Sequence, residues 1–292
     1  MKKGFTFIEM IFVMVIMGIL AKFGAEIFRN VYLNYNQSTA NNILQSDTEL
    51  VLQQVGNRLQ YRIKDSLIGR KADASFMPMN AINDSNYTTV EWIGYDIDGW
   101  LGDAVSTNPT WSGFIDVGDV PTATINSLVS PSSDLSLAGR ANNVITSLST
   151  SSVADAAIFF TGANSDARTD YGWDGVAVVD QVNTAAHPVG VSAVNRIAPS
   201  VDDFAGVDVY EQYKLAWTAY ALELADGNLT LYYDYQPWLG ESFNNASSSV
   251  LIENVTTAKV RAIGDMINIQ ICVSENNITG SEYSICKEKA IF

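Results

Sequence analysis

The chain has 292 residues, a formal charge of −15, two cysteines and one histidine. With 47% hydrophobic and 17% charged residues it is too apolar for a disordered chain and can bury a substantial core. The acidic balance argues against a nucleic-acid surface, which needs Lys/Arg density to displace counterions, and two cysteines are too few for a disulfide-framework miniprotein or a cysteine-built zinc site.

The charge is unevenly spread. Between Ala72 and Asn195 there are 14 acidic residues against two basic ones, Arg140 and Arg168. The chain therefore reads as an apolar start, an acidic middle and a mixed end.

From Phe5 to Phe23 only Glu9 and Lys22 are charged. As a helix this run spans roughly 28 Å at ~1.5 Å per residue, about one hydrocarbon thickness. Lys2 and Lys3 ahead of it favour a cytoplasmic N-terminus, which puts the rest of the chain across the membrane. A secretory signal peptide would need a shorter apolar core and a small-residue cleavage site after it, and the pattern runs past Phe23 with neither. A plain signal anchor fits the length but leaves Glu9 unexplained. A carboxylate inside a membrane helix is costly and calls for a partner, unless it snorkels to the interface.

The string Gly4-Phe5-Thr6-Phe7-Ile8-Glu9 resembles the N-terminal signal of type IV pilins and type II secretion pseudopilins. In that family a prepilin peptidase cuts after the Gly and the new N-terminal Phe is N-methylated. The resemblance implies a leader at 1–4, cleavage between Gly4 and Phe5, and methylation of Phe5. It also makes Glu9 the assembly residue, pairing with the Phe5 amine of a neighbouring subunit, since a paired buried carboxylate is tolerated where a lone one is not. Partners implied are other pilin or pseudopilin subunits, the prepilin peptidase and an inner-membrane assembly platform. The implied location is the inner membrane, single-pass, with a periplasmic globular part that can enter a filament.

The helical pattern continues after Phe23. Leu44, Val51, Val55, Leu59 and Ile63 fall on one stripe, no proline precedes Pro78, and Gly69 is a natural stop. This predicts one helix over 5–68, with 5–23 in the membrane. Gly18 and Gly24 weaken it locally, either to permit stretching or for close packing of small residues.

Residues 69–199 form an acidic variable region, rich in turn signals, with strand candidates at 90–95, 156–161 and 175–182. Trp92, Trp100, Trp111 and Trp173 argue for packing rather than a linker. Asp96-Ile97-Asp98-Gly99 with Asp103 resembles part of a calcium loop, and Asn164, Asp166, Asp170 and Asp174 offer further oxygens. Calcium wants six to eight oxygen ligands and neither cluster completes an EF-hand. Turn-forming aspartates are the simpler reading; calcium is the one cofactor the sequence allows.

Residues 200–292 read as antiparallel β. Strands at 215–224 and 229–235 flank Ala225-Asp226-Gly227-Asn228, and strands at 259–263 and 266–273 flank Gly264-Asp265. A closing strand is expected over 283–292. This pattern resembles J-type minor pseudopilins and large minor pilins. Cys272 and Cys286, with 13 residues between them, should pair in an oxidising periplasm, at a position that resembles the C-terminal disulfide loop of many type IV pilins. The alternative is two unrelated thiols.

The expected fold class is thus α+β, pilin-like: a long N-terminal helix packed on a C-terminal antiparallel sheet, with a large acidic insertion. No nucleophile–base pair, metalloprotease motif or phosphate-binding loop is written in the sequence, and His187 before Pro188 reads as a surface loop residue. The expected function is a non-enzymatic minor pilin or pseudopilin of a type II secretion or type IV pilus filament. Two other readings stay open. One is a pilus subunit for adhesion or DNA uptake. The other is a membrane-anchored periplasmic calcium- or ligand-binding module without a filament role.

Overall fold

The computed structural model describes residues 6–84, 86–119, 126–190, 193–276 and 282–292. The chain begins as one helix, α1 (Phe7–Gln60), of 54 residues, about 80 Å long at ~1.5 Å per residue. No described residue before Leu44 is buried. From there Leu44, Thr48, Val51, Leu52, Val55, Gly56 and Leu59 turn one face inward, as the apolar stripe predicts.

The helix stops at Gln60, short of the expected Ile68. The backbone beyond it is recruited elsewhere. The Ile63 amide donates to the Ile93 carbonyl at 2.8 Å, and the Tyr95 amide to the Tyr61 carbonyl at 2.9 Å. The Arg62 guanidinium donates to the Leu59 carbonyl at 2.8 Å, placing a cation on the negative end of the helix dipole.

The strands, in chain order, are β1 (Ile68–Lys71), β2 (Phe76–Pro78), β3 (Tyr87–Gly94), β4 (Leu128–Val129), β5 (Ala157–Phe160), β6 (His187–Pro188), β7 (Arg196–Ile197), β8 (Tyr213–Ala216), β9 (Thr218–Ala225), β10 (Asn228–Tyr235), β11 (Ser247–Ile252), β12 (Val255–Ile263), β13 (Met266–Asn276) and β14 (Glu282–Ile291). Two short helices, α2 (Ile97–Leu101) and α3 (Arg140–Leu148), lie between β3 and β5. The strands form an antiparallel six-stranded sheet in the order β11-β10-β9-β3-β1-β2, three-stranded sheets β12-β13-β14 and β6-β5-β8, and the pair β4-β7. The result is the α+β arrangement expected, a long helix followed by antiparallel sheets.

Period-two alternation decides what each face of the large sheet does. On β9, Tyr220, Leu222 and Leu224 face the helix. The intervening Ala219 and Ala221 face the opposite layer with Ile68, Ile93, Tyr171, Trp173 and Trp238. The helix side is shared with β12–β14, whose Val255, Ile267, Ile269, Ile271, Val273 and Ile291 join the same core. Lys287 reaches Glu49 on α1 at 2.8 Å. Gly56 lets Lys289 lie on the helix, where a Cβ would stand 3.3 Å from its Cε.

The acidic part is an insertion into a hairpin. β3 and β9 are direct antiparallel neighbours, and their pairing ends at Gly94↔Thr218. Residues 95–217 leave at that point and return to it. They hold 15 acidic residues against four basic ones. The expected acidic region, 69–199, is therefore redrawn: β1–β3 belong to the large sheet, and the insertion runs on to Trp217. It has its own core of Trp111, Leu128, Leu135, Ile145, Phe160 and Phe204 among others.

The hairpin turns are where the sequence put them. Asp226 (φ 50°) and Gly227 (φ 77°) close β9–β10 as a two-residue left-handed turn, and Gly264 (φ 58°) opens the β12–β13 turn. The strand expected over 215–224 is split at Trp217, where the chain passes from the small sheet to the large one. The strand expected at 175–182 is absent; that segment joins no sheet.

Candidate assembly site

The N-terminal stem is the first candidate. Glu9 sits in the first turn of α1. Its Oε2 accepts both the Thr6 amide and the Thr6 hydroxyl, each at 3.0 Å. This is half of a capping box, in which a residue three along the helix satisfies an orphan N–H. Within one chain Glu9 therefore already has a partner, which the sequence reading did not foresee. Gly4 and Phe5 lie outside the described residues.

Around Glu9 the helix is apolar on every side. The window over its first turns has a mean hydropathy of 2.1 and none of it is buried in the protein. Phe7, Phe12, Met17, Leu20 and Phe23 all point outward. No atom of the described protein lies within 4 Å of a Cβ built on Gly18 or Gly24, so nothing in this chain uses those gaps. A helix that is hydrophobic all round and unburied needs a nonaqueous environment.

The sequence profile of the prokaryotic N-terminal methylation motif matches residues 1–21, the stretch that holds Gly4, Phe5 and Glu9. The chain carries a prepilin-type N-terminal motif, which supports the type IV pilin and pseudopilin family. That motif implies processing by prepilin peptidase and assembly with other pilins, and together with a helix long and apolar enough to cross a membrane it points to membrane anchoring. Proteins of this family are structural, not enzymes. Comparisons with curated proteins and with solved structures gave no match.

The far end of this pilin-like chain is closed covalently. Cys272 and Cys286 form a disulfide with Cα atoms 4.0 Å apart. They are directly opposite in the β13–β14 register, so the bond spans neighbouring strands.

The aspartates proposed for calcium do other work. Asp96 is buried, and its carboxylate accepts the Gly99 amide at 3.0 Å, the Trp111 indole at 3.0 Å and the Trp217 indole at 3.3 Å. Burial pushes this carboxyl up to about 6, against those three donors. Asp103 turns instead to Arg140, at 2.8 Å, which holds its carboxyl down at about 2. Asp98 is in the first turn of α2. In the second cluster Asp166, Asp170 and Asp174 each accept an amide of their own loop. Among the described residues no group of three or more His, Cys, Asp and Glu could hold a metal ion. The calcium reading is corrected accordingly: these are capping, turn-forming and ion-paired carboxylates.

His187 is also corrected. It is 3% exposed, not a surface residue. Its Nδ1 meets Gln181 Oε1 at 3.0 Å, and its ring packs on Phe160 and Phe204. Burial lowers its pKa to about 4, so it is neutral at pH 7.

One buried ion pair escaped the sequence reading. Arg70 on β1 pairs with Glu91 on β3, and Tyr235 on β10 donates to the same carboxylate at 3.0 Å. Arg70 also reaches the Trp173 carbonyl at 2.9 Å, tying the insertion to the sheet. Strand pairing creates this cluster, and no local signal announces it.

Proposed function

We propose that this protein is a minor subunit of a membrane-assembled filament, of the type II secretion or type IV pilus kind. Its C-terminal hairpins, Pro237-Trp238 turn and disulfide favour the J-type minor pseudopilins and large minor pilins. The observation that carries the reading is the prepilin motif on an unburied apolar helix whose second half is built into the protein's own core. The stem is held in the inner membrane with the N-terminus cytoplasmic and the sheets periplasmic. Prepilin peptidase cuts between Gly4 and Phe5, and Phe5 is N-methylated. On assembly Glu9 exchanges Thr6 for the Phe5 amine of a neighbour, which sets the axial stagger between stems. The exchange is favourable because a charged donor makes a stronger hydrogen bond than a neutral one.

The test is the mass of the N-terminal peptide in cells that contain the peptidase. The wild-type protein should begin at N-methylated Phe5, and Gly4→Ala should retain the leader. An unprocessed wild-type chain would refute the reading. Glu9→Leu should still be cleaved but should fail to co-assemble, and normal filament incorporation of that variant would remove Glu9 from its role.

A further inference from the structure

Seven triplets of the form Asn-x-Ser or Asn-x-Thr, with x other than Pro, occur in the chain, and all lie outside the inserted residues 95–217. The fold brings three of them to one rim of the large sheet. Asn86 precedes β3, whose Thr89 lies opposite Glu223 near the end of β9. Asn228 opens β10 opposite Ala225, the last residue of β9. Asn254 follows β11, and the amide of the next residue, Val255, donates to the Gly227 carbonyl at 2.8 Å. The insertion leaves the sheet at its other end, at Gly94↔Thr218. Strand β13 shows which way the rim faces. Just before it, the Asp265 carbonyl accepts Arg62 from beyond the end of α1, at 2.6 Å. Further along, Ile271 lies opposite Lys287, which reaches Glu49 on α1, and Val273 lies opposite Val255. The path from Asp265 to Val273 thus runs back along α1, so the rim faces the stem.

Asn86 and Asn254 are exposed and Asn228 is partly exposed, as are the hydroxyl-bearing Thr88, Thr256 and Thr230 that complete the triplets. Among the described residues none of the three carboxamides has a hydrogen-bond partner. Two of them stand on bends: Asp84 accepts the Asn86 amide at 2.9 Å, and Asn254 has φ 59°. Such a triplet at the surface of a translocated chain is the acceptor for an N-linked glycan, and a sugar on these nitrogens breaks no bond of the fold. We propose that Asn86, Asn228 and Asn254 carry N-linked glycans, which form a hydrated collar where the stem enters the folded part. The donor is a lipid-linked sugar phosphate. A bond forms between the asparagine Nδ2 and the anomeric carbon of the sugar as the bond from that carbon to the phosphate oxygen breaks. The phosphate leaves with the electron pair, Nδ2 gives up one proton, and nothing is oxidised or reduced. The proposal rests on the sheets lying across the membrane, as proposed above, and not on a filament.

The test is mass spectrometry of the full chain, extracted in detergent from the membranes of its own cells. The intact mass should exceed that of the polypeptide by whole sugar residues, and fragment spectra should place them on the peptides that hold Asn86, Asn228 and Asn254. Each peptide found with sugar supports the proposal; bare peptides at all three asparagines would overturn it. Asn86→Gln and Thr88→Ala should each lose the same single glycan, because the triplet needs both residues. Loss in the Thr88 variant alone would mean an O-linked sugar and would also overturn it. Asn254→Asp keeps a residue that tolerates the left-handed backbone and should lose one glycan without loss of fold. The N-terminal peptide of the same digest reports leader cleavage separately, so failure of the glycan proposal and failure of the prepilin reading are distinguishable.

Discussion

His187 offers the sharpest test of the insertion's core. Its folded pKa is about 4 against an ordinary value of 6.5, because the buried ring is desolvated between Phe160 and Phe204. The folded pKa is depressed, so stability is complete above pH 6.5 and is lost as pH falls towards 4. The loss is about 3 kcal/mol for a shift of this size. Asp96 works against it. Its folded value is raised from 3.8 to about 6, so the cost of burying its charge is full above pH 6 and is relieved as pH falls towards 3.8. That relief is also about 3 kcal/mol. Between pH 6 and 4 the two groups should nearly cancel, and neither is visible in the wild-type curve. The perturbation that separates them is His187→Gln, which removes one titration and keeps a polar group opposite Gln181. Guanidinium unfolding followed by tryptophan emission, at pH 7, 5.5 and 4, gives the difference between variant and wild type. The variant should gain stability relative to wild type on acidification, by about 3 kcal/mol at pH 4. A difference that does not change with pH would show that His187 is not buried neutral, and would refute the reasoning.

Three further outcomes follow from the packing. The Trp111 and Trp217 indole N–H resonances should both shift on titration, with one shared midpoint near 6, because both donate to Asp96; separate midpoints would break that link. Replacing Cys272 and Cys286 by Ser should lower stability by about 3 kcal/mol for a loop of this length, without unfolding the six-stranded sheet; an unchanged melting midpoint would contradict it. Leu52→Ala, at 1% exposure between helix and sheets, should cost about 2–5 kcal/mol in the same unfolding assay, whereas Leu50→Ala on the exposed face should cost little, and equal costs would mean that the helix faces have been misassigned.

What the sequence disclosed depended on how local each signal was. The stem is legible because a membrane span and a processing motif are contiguous runs. The β9–β10 and β12–β13 hairpins are legible because Asp226-Gly227 and Gly264-Asp265 encode their own backbone geometry. The helix terminus is not, because Tyr61 and Ile63 are drawn off by residues 93–95, far along the chain. His187 sits in a polar stretch and is buried by rings from residues 160 and 204. Trp217 interrupts an otherwise regular strand pattern because its indole is needed at Asp96. The boundary of the insertion is the least local feature of all: Gly94 and Thr218 pair across everything between them. The aspartate clusters misled because one spacing serves calcium loops, helix caps and Asx turns alike, and only the identity of the donors tells them apart.

The hairpin insertion has a mechanical consequence. Gly94 and Thr218 lie opposite each other, so both chain crossings leave the large sheet at the same end. A pull on the inserted part drags β3 and β9 together along their own axes. Their outer neighbours, β1 and β10, resist through ladders of hydrogen bonds that run across the direction of pull. On the β1 side the chain from α1 enters at this same end, where the Tyr95 amide donates to the Tyr61 carbonyl and the Ile63 amide to the Ile93 carbonyl, so those bonds are loaded first. Tension between the inserted part and α1 therefore falls first on the mouth of the sheet, where residues 61–63 and 93–95 are bonded to each other.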